Sequence, residues 1–264
     1  MKKSIMLTVL ILLTGASAHA GTSASTAEFL KKLNGYYYCL SREGVKNYKC
    51  DLNCSLSPES EKALMAKGIY DEKLWEAVKG FQFSVEDASG QPISIQGAAP
   101  PKTGDAGLDG RIAQLDGNIL ESVRAFSQFW KAFVVEPLND PADLEQGNLK
   151  FQRLADGFKV TQADPSGGLV AVSFDKKGKM QEFTMEGNGS KTTVTPDFVY
   201  SAKGYLLQGM VFTAADTDED CRLQYGTEDG FWMPKSLSLQ VQLPGMPGAA
   251  IGLIFNFEHY QVNQ

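Results

Sequence analysis

Few residues in this chain have the type and spacing to do chemistry. The cysteines are Cys39, Cys50, Cys54 and Cys221, and the histidines are His19 and His259. A four-cysteine zinc site normally draws on two Cys-x-x-Cys pairs, and neither is present. A single histidine beyond position 20 leaves no metal centre built on several histidines. No Gly-x-Ser-x-Gly elbow supports a serine hydrolase. Asp216, Asp218 and Asp220 have the opening spacing of a calcium loop. The sixth place of that loop should be glycine but holds Cys221, and the twelfth holds Thr227. An acidic hairpin turn is the plainer expectation. Lys102 and Thr103 follow Gly97, yet Pro101 stands where a phosphate-binding loop needs its second glycine. Gly97–Gly110 therefore reads as a surface loop. His259 follows Ile251, Leu253, Phe255 and Phe257 at even spacing and reads as a core or rim residue on their face. No enzyme and no cofactor is expected.

The compartment decides what the cysteines do. Lys2 and Lys3, an apolar run from Ile5 to Leu13, and the ending Ala18-His19-Ala20 have the form of a secretory signal peptide. Residues 1–20 are expected to be removed after Ala20, leaving a periplasmic protein. The apolar run is too short to span a bilayer. In an oxidising compartment an even cysteine count favours two disulfides. Tyr48, Cys50, Leu52, Cys54 and Leu56 alternate as one strand face. Four steps of strand cover roughly 13 Å, and a disulfide needs Cα atoms within about 7 Å. Cys50–Cys54 is thus excluded, and Cys221 should pair with one of the two while Cys39 takes the other. The 25 basic residues less Lys2 and Lys3, set against 31 acidic ones, give the mature chain a net charge of −8. An acidic chain without a basic run argues against nucleic acid and anionic membrane surfaces.

The elements that would position any site read as follows. Ser23–Leu33 is an amphipathic helix, and Pro58 opens a helix that Gly68 stops. Asp71–Lys79 is a short helix ended by Gly80. The longest helix, Arg111–Val134, carries one broad apolar stripe that includes Ile112, Ile119, Val123, Phe126, Trp130 and Phe133. From Leu149 onward short alternating strands and glycine turns recur every eight to twelve residues, the pattern of a meandering sheet or barrel. No linker long enough for a boundary is visible, so 21–264 is expected to be a single domain of α+β class.

What remains to act is apolar surface. Phe126, Trp130 and Phe133 on the long helix would face strand residues Phe174, Phe183, Leu237, Leu239, Leu253, Phe255 and Phe257. Either these side chains simply fill a core, or the helix is a lid over an apolar ligand pocket.

A resemblance bears on that choice. The ending Phe257-Glu258-His259-Tyr260-Gln261-Val262-Asn263 is similar to the close of periplasmic lipoprotein carriers of the LolA type. So is Gly230-Phe231-Trp232-Met233-Pro234 running into a long strand. The likeness is specific over about Tyr205–Asn263. The four cysteines, the Gly97–Gly110 loop and the long middle helix depart from the pattern, so the resemblance is that of a divergent member. The resemblance implies a curved antiparallel sheet, an open or incomplete barrel, covered on its concave face by helices. It implies a monomeric carrier of lipid or lipoprotein acyl chains in outer-membrane biogenesis, with envelope membrane proteins as partners. The rival expectation is a non-enzymatic envelope interaction or structural protein with the same fold and a filled core.

Overall fold

The computed structural model describes residues 24–88, 91, 93–135, 149–163, 168–187, 189–214, 217–242 and 250–263. The fold is α+β, with twelve strands antiparallel to their neighbours and a few helices. The strands do not close into a barrel, because the two edge strands each pair on one side only. No helix among the described residues is long and apolar enough to cross a membrane. The chain forms two compact units, one from residues up to Arg42 with Phe129–Asp220, the other from Glu43–Gln128 with Cys221–Gln264.

The first unit contains helix α1 (Ala24–Asn34), the short helix α2 (Leu40–Glu43), and strands β4 (Leu149–Leu154), β5 (Gly157–Ala163), β6 (Leu169–Asp175), β7 (Met180–Gly187), β8 (Ser190–Ser201) and β9 (Gly204–Ala214). Each strand pairs with the next, so β4 is an edge. The segment after α1 is pinned to this meander. Tyr38 N–H donates to the Tyr205 carbonyl at 2.8 Å, and Tyr205 N–H donates to the Tyr36 carbonyl at 2.7 Å. Between them the buried Tyr37 hydroxyl donates to the Gly178 carbonyl (2.7 Å) and accepts from Met180 N–H (2.6 Å). Gly178, with φ of 83°, leaves room for Leu33; a Cβ there would lie 2.6 Å from its Cδ2.

The second unit contains β1 (Asn47–Leu56), α3 (Pro58–Ala66), α4 (Glu72–Lys79), β2 (Gln82–Ala88), β3 (Ser94–Gly97), β11 (Phe231–Gln242), β12 (Ala250–Val262) and the Cys221–Glu228 part of β10 (Thr217–Glu228). Its strand order is β3-β2-β1-β12-β11-β10. The Cys50/Leu52/Cys54 face of β1 is buried, as its alternation predicts. Ser57 caps α3 by accepting from Ser60 N–H, and Asp71 caps α4 by accepting from Leu74 N–H.

The long helix α5 (Ala106–Trp130) begins five residues before the expected Arg111. Asp105 is the reason: its carboxylate accepts from Gly107 N–H (2.9 Å) and Leu108 N–H (3.1 Å), a cap strong enough to carry the two glycines that follow. The helix then widens into a π-helical turn, Lys131–Val135, instead of running on as α-helix to Val134. Asp216, the first carboxylate of the expected acidic turn, lies outside the described residues.

Candidate functional site

The predicted pocket residues fall into two sets. In the second unit, Leu237, Leu253 and Phe255 are wholly buried, and Phe126 and Leu239 nearly so. Leu237 pairs with Phe255 and Leu239 with Leu253 across β11 and β12. Phe257 is only half-buried. In the first unit, Trp130, Phe133, Phe174 and Phe183 are buried. Phe133 meets Phe183 edge-on at 6.0 Å, and Phe129 meets Phe212 at 4.9 Å in the same manner. These are the geometries of packed aromatic cores.

An open cavity among the described residues lies elsewhere in the first unit, at its β4 edge. It has a volume of about 550 Å³ and is lined by Phe29, Phe151, Leu154, Gly157 and Phe158, with Arg153 and Lys176. That size falls in the range of small-molecule pockets, about 300–1,000 Å³. Three aromatic rings form its wall. Phe29 of α1 meets Phe158 edge-on at 4.7 Å and Phe151 at 5.4 Å. Phe151 and Phe158 stack at 5.6 Å, and Phe158 stacks on Phe174 at 4.8 Å. Phe174 is thus the one predicted pocket residue placed against this wall, one strand behind it.

Strand geometry builds the cavity. Phe151 and Arg153 are two apart on β4 and share a face. Arg153 lies opposite Phe158, which lies opposite Phe174. Lys176 sits in the turn after β6, next to Asp175, the partner of Gly157. Gly157 is required by close approach: a Cβ there would stand 1.8 Å from the Phe174 carbonyl oxygen. Phe29 reaches the wall because the Tyr36–Tyr38 segment ties α1 down. Phe151 and Leu154 remain 39% and 40% exposed, a large value for apolar side chains lining a cavity.

No cluster of metal-ligating side chains occurs among the described residues. The four cysteine side chains are buried and no disulfide joins them, so the pairing expected from the even count is not seen. Cys50 and Cys54 point to one face of an extended strand and are held apart by it, as expected. Burial pushes the Cys50 thiol up to about 12, a hydrogen bond with Tyr260 offsetting part of the rise, and raises Cys54 further. Burial raises the Tyr37 and Tyr260 hydroxyls well above the tyrosine range.

His259 departs from the face assigned to it. The β1–β12 register passes from Lys49↔Gln261 to Asp51↔Glu258, leaving one extra residue on β12. The bulge reverses the alternation after Phe257. His259 adopts φ of 54° and is exposed, its Nδ1 at 2.9 Å from the Asp51 carboxylate, while Val262 turns inward.

The described residues thus form an α+β antiparallel meander with an aromatic-walled cavity at the β4 edge. No known family model matches the chain, and no curated protein does.

Proposed function

We propose that this protein is a periplasmic carrier or binding protein for a hydrophobic ligand, a lipid or the acyl chains of a lipoprotein, working in outer-membrane biogenesis. The observation that carries the reading is the cavity walled by Phe29, Phe151 and Phe158, apolar yet open. Shielding alkyl chain from water needs no catalytic group. Each buried CH₂ contributes about 0.8 kcal/mol, so one chain yields useful affinity. The signal-like start and the LolA-like ending support the same reading and its compartment.

The rival is an envelope interaction or structural protein. Its support is the tight burial of Leu237, Leu239, Leu253 and Phe255, which resembles a filled core more than a pocket lining. The two readings separate in a probe titration of delipidated protein. A fluorescent acyl probe should bind saturably, and Phe151→Asp, which puts a charge on the half-exposed wall of an edge strand, should abolish binding without unfolding the protein. Absence of saturable binding by the wild type would leave the rival standing.

A further inference from the structure

The cavity wall has a polarity that the carrier reading alone does not require. Its charged lining residues, among those described, are Arg153 and Lys176, and both are cations. They stand out in a chain with 31 acidic residues against 25 basic ones. Arg153 projects from the same strand face as Phe151 and lies opposite Phe158, so one guanidinium borders two rings of the wall. Lys176 reaches the rim from the turn after β6. The acidic neighbour is Asp156, 3.9 Å from the Lys176 ammonium, and both side chains are largely in water. An exposed pair at that distance is weak, so Lys176 is readily shared with an incoming anion. Asp175 is occupied by its own turn, accepting from Lys177 N–H and Lys179 N–H.

An apolar wall with cations at its rim is the complement of an amphiphile. We propose that this cavity takes a single-chain amphiphile with an anionic head, carboxylate or phosphate. The chain lies against Phe29, Phe151 and Phe158, and the head sits between Arg153 and Lys176. The inference rests on the carrier reading and adds the head group to it. Arg153 is the stronger determinant, because its planar fork can meet two oxygens of either head at once.

The test uses three probes of equal chain length on delipidated full-length protein by calorimetry: dodecanoate, dodecyl phosphate and neutral dodecanol. At least one anionic probe should bind about tenfold or more tightly than dodecanol, an advantage that added salt reduces. The double variant Arg153→Met/Lys176→Met should bring the anions down to the affinity of dodecanol while leaving dodecanol unchanged. Both substitutions are at exposed positions, and an unchanged melting temperature verifies the fold. Preference for one anion over the other assigns the head as carboxylate or phosphate. If all three probes bind alike and the double variant changes nothing, the head-group inference is overturned and the carrier reading stands. If none binds, both fall.

Discussion

Removing one oxygen atom, in Tyr37→Phe, tests how the cavity is held together. The hydroxyl is buried and serves two backbone groups of the β6–β7 turn, donating to Gly178 C=O at 2.7 Å and accepting from Met180 N–H at 2.6 Å. Phenylalanine keeps the ring, including its edge contact with Phe198 at 5.1 Å, so packing is little changed. What changes is that a buried carbonyl and a buried N–H lose their partner. Each such group costs about 1–3 kcal/mol, so the variant should lose about 2–6 kcal/mol. That is a large share of the roughly 5–15 kcal/mol that holds a domain together. Urea denaturation should show a lowered midpoint at unchanged slope. The loosened turn should also free α1 and with it Phe29, weakening acyl-probe binding in protein that is still folded. The alkaline limb gives an independent readout. Burial raises the Tyr37 pKa in the folded state, so its contribution is complete below the unfolded value of about 10 and falls as pH climbs beyond it. Tyr37→Phe should flatten that fall, leaving the part due to other buried groups such as Tyr260, Cys50 and Cys54. A stability loss under about 0.5 kcal/mol, with an unaltered alkaline limb, would refute the claim that this hydroxyl anchors the helix.

Three further outcomes follow from named contacts. Gly157→Ala should cost at least about 3 kcal/mol in a denaturant titration, because its Cβ would meet the Phe174 carbonyl, a backbone atom held in the β5–β6 ladder. Cys50 and Cys54 should resist a thiol reagent at pH 8 in folded, reduced protein and react on unfolding. Their raised folded pKa values also make stability fall as pH rises above about 8.5, the unfolded value. Leu239→Glu places an unpaired carboxylate at a nearly fully buried position opposite Leu253, and the melting temperature should collapse; a folded variant would show open space at that face.

Local pattern made much of the architecture legible. Period-two alternation placed the buried face of β1, and Pro58, Gly68 and Asp71 marked helix ends that the backbone respects. The start of α5 was misread because glycines at 107 and 110 look like loop, whereas one Asp105 cap outweighs them. His259 was misread because a bulge adds a residue without any local mark, and one added residue reverses every face beyond it. The cavity was hidden for a different reason. Phe29 is distant in sequence from Phe151, Phe158 and Lys176, and the Tyr37 anchor and the β4–β6 register bring them together. The one local trace was Phe151-x-Arg153, an aromatic and a cation on one face of an edge strand.

The central claim is that the protein carries a hydrophobic molecule in the cavity at the β4 edge. The direct measurement is native mass spectrometry, with solvent extraction, of protein purified from the cells that naturally make it, wild type beside Phe151→Asp. The account predicts a mass adduct on the wild type that extracts as an alkyl-chain compound and is missing from the equally folded variant. Wild-type protein at its bare mass, taking up no acyl compound after delipidation, would contradict it.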